Sequence, residues 1–345
     1  MLNQLYKQLN QIVILIRAGQ WWSVKGAPAL GTVYATAFVL NGFSLIKAWK
    51  WLVFLLVTVA IVAIYAEILN DFTDQEQDTL SGKTNRMVGR STVTQTFLLA
   101  ICTSLLFLPV LVLIHHSLLL GIYLSTCAVF TVYSLPPLRL KECGFWGTLA
   151  DALGSHVLPQ IFAVLMVANA ADHVIPLAWL ICIFFWSLAT GLRGIFWHQL
   201  LDLENDQKAG VNTFAVSHAA AIKRFTRWVL FPFEILSLVG ILLLSSSLLG
   251  WLLLALHSIT EWLRHYFWSI NLVIVEPINN HRFLLHEYYE FFYPLTFLAL
   301  AIQQDRSNLI ILVIHLLLYP QRLWWWLRDT WVLLRWEVPI HLRSQ

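Results

Sequence analysis

The chain has 345 residues, 59% hydrophobic and 12% charged, with 22 basic and 19 acidic side chains for a net charge of +3. Soluble domains carry about a quarter charged residues, and at a mean hydropathy of +0.69 this chain could not dress a water-facing surface. The numbers exclude a soluble enzyme, a nucleic-acid-binding protein and a disordered scaffold. They leave an all-α, polytopic membrane protein.

Residues 1–27 place Leu5, Leu9, Val13 and Ile16 at helical spacing beside Lys7, Arg17 and Lys25, a pattern that suits a helix lying in the membrane surface. Apolar runs long enough to span a bilayer follow at Gly31–Ile46, Trp51–Leu69, Thr96–Ile114, Leu118–Tyr133, Thr148–Ala168, Ile175–Trp197 and Trp228–Leu248. Two or three more lie between Leu249 and Leu318, so eight or nine helices are expected, about nine in one bundle. Residues 321–345 interleave Trp324, Trp325, Trp326, Trp331 and Trp336 with Arg322, Arg328, Arg335 and Arg343, the chemistry of the lipid headgroup zone. The expected organisation is an interfacial segment (1–27), a membrane domain (28–320) and an interfacial tail (321–345). The N-terminus shows no basic region, long apolar core and small-residue cleavage site in sequence, so the first spanning helix is expected to direct insertion.

Loop charge sets the expected orientation. Loops 71–95, 134–147 and 198–227 fall on one side, and up to residue 225 they hold Lys83, Arg86, Arg90, Arg139, Lys141, Lys208, Lys223 and Arg224. The opposite loops before residue 227 hold only Lys47 and Lys50. The richer side is expected to be cytoplasmic.

The acids are clustered. Of 19, five fall between Glu67 and Asp78 and three between Asp202 and Asp206, at the ends of spanning helices. Acids there are costly unless paired, hydrated or bound to cations. At ~100° per residue, Glu67, Asn70, Asp71, Asp74 and Asp78 share an arc of roughly 100°, and His198, Asp202, Asn205 and Asp206 share another. Such a density of like charge calls for a cation. Hard oxygen ligands suit Mg²⁺, which completes its shell with water and phosphate oxygens. Lys83, Arg86, Arg139, Lys141 and Lys208 lie in the same loops and suit a diphosphate. Hydrated acidic loops and a cation-transport path are the alternatives. Transport is disfavoured because transporters place ionisable groups near mid-membrane, whereas both stripes lie at one face.

Asn70-Asp71-x-x-Asp74-x-x-x-Asp78 and Asp202-x-x-x-Asp206 resemble the two aspartate-rich motifs of the UbiA superfamily of intramembrane prenyltransferases. The surrounding NDFTDQEQDTLSGKTNR and DLENDQKAGVNTFAV fit as well. The loop YSLPPLRLKECG, Tyr133 to Gly144, resembles that of chlorophyll-synthase-like and homogentisate-prenyltransferase-like members. The resemblance covers about residues 15–245, with the three pieces in family order. It implies a helix bundle around a cavity open to lipid. In it Asn70, Asp74, Asp78, Asp202 and Asp206 hold Mg²⁺ on the diphosphate of a polyprenyl donor, with Asp71 in support. Lys83, Arg86, Arg139, Lys141 and Lys208 would contact that diphosphate. The donor would ionise beside aromatic walls such as Tyr133, Phe196 and Trp197, and a lipophilic acceptor, by the loop an aromatic one, would attack. A terpene cyclase of the same superfamily would share this machinery. Two features depart from the common pattern: Asn85-Arg86-Met87-Val88 follows the first motif where many members have NRP, and Trp197-His198-Gln199 precedes the second. His198, one turn before Asp202 on the same face, is a candidate base, acceptor-binding group or supporting partner.

Overall fold

The computed structural model describes residues 2–40, 44–211 and 213–337. Arg343 and part of the first candidate span (41–43) lie outside them. Six helices are long and apolar enough to cross a bilayer: Trp49–Thr73, Thr92–Leu113, Ser117–Ser134, Phe145–Ala171, Leu177–Leu201 and Phe214–Leu244. A bent pair, Arg306–Leu318 and Pro320–Glu337, makes a seventh if counted as one span. The remaining bundle helices, Ala27–Val39, Leu248–Trp268 and Tyr293–Gln304, are shorter or carry charge. The polytopic all-α class therefore holds.

The residues after 250 are built into the bundle. Gly31 lets Ala27–Val39 cross Tyr293–Gln304 closely: a Cβ there would sit 2.7 Å from the Tyr293 ring. Trp179 is fully buried, and its indole N–H donates to Thr36 Oγ1 at 3.0 Å. Between Leu248–Trp268 and the helix at 293 the chain forms two three-residue strands, Asn271–Val273 and His281–Phe283, paired in parallel.

An ion pair in the bundle fastens this segment. The Arg193 guanidinium makes two 2.7 Å bonds to Glu234 and donates to the carbonyls of Ile274 (3.2 Å) and Leu284 (3.0 Å). The C-terminal helix Pro320–Val332 is tied by charge as well. Arg264 reaches Glu261, Glu287 and Asp329, and Arg322 reaches Glu290.

The N-terminal segment departs from a plain surface anchor. Arg17 takes a left-handed turn (φ 51°), and the residues after it turn into the bundle. Arg17, Gln20 and Lys25 line internal cavities. Apolar and basic residues at helical spacing suit a surface helix and a helix lining a polar cavity equally, so periodicity could not separate them.

Candidate active site

Both acidic stripes are broken where a single helix was expected. The helix Trp49–Thr73 stops before Asp74 and a new helix runs Gln75–Ser81. Leu177–Leu201 stops before Asp202 and Leu203–Ala209 follows. The two breaks are copies of each other. Asp74–Gly82 reads DQEQDTLSG and Asp202–Gly210 reads DLENDQKAG, with Asp, Glu, Asp and Gly at equal offsets. The backbone repeats too: Asp74 and Asp202 N–H donate to the carbonyls of Asn70 and His198, each at 3.0 Å. Gly82 (φ 71°) and Gly210 (φ 69°) close the short helices in the left-handed conformation that glycine adopts without strain. Neither Asp74 nor Asp202 spends its side chain on capping the helix that follows. By this repeat, His198 is the counterpart of Asn70.

The breaks aim their side chains at one cavity of about 430 Å³. It is lined by Asn70, Asp74, Asp78, Asp202 and Asp206 from the stripes, and by Lys83, Arg86, Tyr133, Lys141 and His198. Lys83 Nζ bridges Asp202 and Asp206, 3.0 Å from each. Burial alone would lower Lys83, but its hydrogen bonds to these carboxylates win and raise it. Burial pushes the Asp206 carboxyl up, against the pull of Lys83. On the other side Lys141 contacts Asp74 and donates to Asn70 Oδ1 at 3.0 Å. Burial lowers the Lys141 ammonium in spite of Asp74. In the Asn85-Arg86-Met87 segment, Asn85 Nδ2 donates at 2.8 Å both to the Asp71 carbonyl and to Asp78 Oδ2.

Three expected site residues lie elsewhere. Asp71 is 1% exposed and absent from the cavity wall. Its carboxylate is held by Arg17 Nη2 at 2.6 Å and Arg86 Nη1 at 3.1 Å, so it braces those two arginines. Arg139 stands behind the wall, with Nη2 3.0 Å from Asp74 Oδ1 and 2.8 Å from Gln77 Oε1. Lys208 is exposed and lines neither cavity. Of the aromatic candidates, Trp197 lines the deeper chamber described next. Phe196 is buried against Phe214 instead.

The wall offers only hard oxygen donors at its two breaks, no thiol, and basic groups between them. That donor set fits Mg²⁺. Among the described residues, the one His/Asp/Glu trio whose ligand atoms lie within 4.8 Å of one another is elsewhere: His257, Glu261 and Glu287. Arg264 and Arg282 already neutralise its carboxylates.

The polar cavity runs into a chamber of about 950 Å³, the two sharing Arg17, Asn70, His198 and Asp202 in their walls. One part of the chamber is apolar, with Leu55, Val62, Phe130 and Phe162. Another carries Lys25, Asp151, His156, His286 and Glu290. Sequence reasoning missed this second group and Arg193. Two signals were available: ionisable residues inside otherwise apolar runs (Asp151, His156, Arg193), and a charged or imidazole residue three or four places before a proline (Lys25, His156, Glu290).

The sequence model of the UbiA prenyltransferase family matches residues 29–273. Among solved structures, a UbiA homolog from Archaeoglobus fulgidus bound to DMAPP and Mg²⁺ aligns at 16% identity with a TM-score of 0.54, covering 84% of this chain and 98% of that one. The same homolog bound to GPP and Mg²⁺ aligns at 15% identity with a TM-score of 0.55 and the same coverage. These likenesses show the fold. No curated protein matches in sequence. From the extent of the family match, the chain belongs to the UbiA prenyltransferase family.

Proposed function

We propose that this protein is a Mg²⁺-dependent intramembrane prenyltransferase that ionises an allylic polyprenyl diphosphate and transfers the prenyl group to a lipophilic acceptor. The observation that carries the reading is the repeated Asp-x-Glu-x-Asp break. Its two copies, with Asn70, give five oxygen-bearing side chains lining one cavity that continues into a large, partly apolar chamber. The DMAPP and GPP complexes of the Archaeoglobus fulgidus homolog support the donor class. The eight-to-two excess of basic residues supports a site facing the cytoplasm.

In this reading Asn70, Asp74, Asp78, Asp202 and Asp206 hold Mg²⁺, which when bound neutralises the diphosphate and stabilises it as a leaving group. Lys83, Arg86 and Lys141 move from carboxylates to phosphate oxygens, adding charge-assisted hydrogen bonds where negative charge grows. Arg139 keeps Asp74 in place from behind. The donor tail lies in the apolar part of the chamber, with Tyr133 in the wall of the polar cavity and Trp197 in the wall of the chamber offering aromatic faces to the allylic cation.

A cyclase is the weaker reading. Its chamber must guide a carbocation along a hydrocarbon, and the imidazoles of His156 and His286 would intercept such a cation. The same groups suit a polar acceptor.

The test is binding of an unreactive thiolo analogue of geranyl diphosphate to protein in nanodiscs, with and without Mg²⁺. Wild type should bind more tightly with Mg²⁺. Asp74→Ala and Asp202→Ala should lose that gain while expressing and folding nearly normally, because both carboxylates face a hydrated cavity. Wild-type Mg²⁺ dependence in either variant would defeat the site assignment.

A further inference from the structure

Five π-helical turns end two residues before a proline in the sequence: Trp22–Gly26 before Pro28, Leu153–Val157 before Pro159, Thr226–Leu230 before Pro232, Tyr288–Phe292 before Pro294, and Leu333–Glu337 before Pro339. Proline lacks an N–H and its ring crowds the carbonyl four residues back, so the turn widens. Residues 226–230 and 333–337 line neither cavity. The other three turns each deliver one charged or imidazole side chain to the same chamber: Lys25, His156 and Glu290. Single-turn π segments recur at functional sites, and here three converge.

The partners of these side chains differ. Glu290 is balanced by Arg322 and by His286, whose Nε2 lies at 2.9 Å. Among the described residues Lys25 has one hydrogen bond, 2.8 Å to His156 Nε2, and no carboxylate within 4.0 Å. Among the described residues Asp151, one turn before His156, receives only the Ser155 hydroxyl at 3.4 Å and has no cation within 4.0 Å. A cation and an acid thus line one chamber without meeting. Gln160, one turn beyond His156, is 4% exposed and lines the same chamber with its Oε1 buried and unpartnered. A buried polar atom left without a partner is destabilising, and a ligand's hydrogen-bond donor would remove that cost. The wall is held firmly: a Cβ on Gly191 would sit 3.0 Å from His156 Cβ.

We infer that Lys25, Asp151 and Gln160 form the acceptor-recognition site, and that the acceptor is a lipophilic molecule bearing a hydroxyl group. This rests on the prenyltransferase reading and supplies its acceptor class. A hydroxyl is the small group that can meet both neighbours at once: its oxygen accepts from the Lys25 ammonium while its proton is donated to the Asp151 carboxylate. A second hydrogen-bond donor on the acceptor would satisfy Gln160. His156 positions Lys25 rather than touching the acceptor.

The probes are 2-naphthol and its methyl ether, 2-methoxynaphthalene, titrated into protein in nanodiscs with empty nanodiscs subtracted. They share an aromatic body and differ in the hydroxyl. A hydrogen bond to a charged group contributes about 1.5–3 kcal/mol, so wild type should prefer the naphthol by about tenfold or more. Lys25→Met and Asp151→Asn should each cut that preference to less than about threefold, and Lys25→Arg should restore part of it. Both variants should keep Mg²⁺-dependent binding of the thiolo donor analogue, which also shows that they fold. Equal wild-type affinity for the two probes, or an unchanged preference in both variants, overturns the inference. Loss of Mg²⁺-dependent donor binding in wild type would instead strike the prenyltransferase reading.

Discussion

In the proposed site Lys83 occupies the place that a metal ion and a phosphate would share, and replacing it should move two properties in opposite directions. Its ammonium lies 3.0 Å from both Asp202 and Asp206. At an effective dielectric of 20, a unit-charge pair at that distance is worth ~5 kcal/mol. Water reduces this sharply, because Lys83 is 31% exposed and Asp202 41%, and exposed pairs measure about 0.2–1 kcal/mol. Asp206, at 8%, is the better shielded partner. Together the contacts come to about 1–2 kcal/mol, or about ten-fold in an equilibrium constant. Mg²⁺ entering the cavity without diphosphate must displace that ammonium. Lys83→Met should therefore tighten Mg²⁺ binding to the free protein by about ten-fold, while weakening the thiolo donor analogue, which loses a phosphate contact. Calorimetric titration of Mg²⁺, then of the analogue at saturating Mg²⁺, reads both effects. Unchanged or weaker Mg²⁺ binding in the variant would refute the placement of the metal between the two breaks.

Gly147→Ala tests how the loop after Tyr133 is seated. A Cβ there would lie 2.4 Å from the Leu140 carbonyl oxygen and 2.8 Å from Lys141 Cα. The loop must shift, so turnover should fall at least ten-fold with a small change in thermal midpoint; near-normal turnover would show that Lys141 is not positioned this way. Arg264→Met should destabilise the protein by about 1.5–3 kcal/mol, because Glu261, Glu287 and Asp329 lose the buried cation they share and keep only the more exposed Arg282 and Arg328. Denaturant unfolding in detergent checks this, and a loss below about 1 kcal/mol would contradict it. Burial alone would raise Glu287, but Arg282 and Arg264 hold it at about 2. Its contribution to stability is thus present above the usual glutamate pKa of about 4.3 and lost as the pH falls towards 2. Thermal midpoints should drop across that window in wild type and much less in Glu287→Gln.

The membrane class, the spanning helices and most of the polar cavity were legible in the sequence, because apolar runs and clustered acids are strong local signals. Ten of the thirteen expected site residues line the cavity. The exceptions have physical reasons. Asp71 lies on the arc of Asn70 and Asp74, but a helical arc does not say that Arg17, 54 positions away, folds back to claim it. Arg139 and Lys208 carried only the sign of their charge, and sign does not give direction. The breaks at Asp74 and Asp202 were invisible to a periodicity that assumes one continuous helix, although the repeated Asp-x-Glu-x-Asp-x-x-x-Gly was present to be compared. The polar part of the chamber was hardest to see. Lys25, His156 and Glu290 lie on three separate helices, and only tertiary packing brings their widened turns together. The segment around the two short strands likewise reads as a polar interruption until Arg193 and Glu234, on different helices, clamp it to the chamber.

The most direct test of prenyl transfer is to incubate the purified protein in nanodiscs with Mg²⁺ and allylic diphosphates from dimethylallyl to geranylgeranyl. Diphosphate release would be followed, and the lipids extracted for mass analysis, with and without a membrane extract from the source organism. The account predicts Mg²⁺-dependent release that requires the extract and yields an acceptor heavier by one prenyl group. Release with a new hydrocarbon and no added acceptor would make the protein a cyclase, and no Mg²⁺-dependent release from any donor would contradict the account altogether.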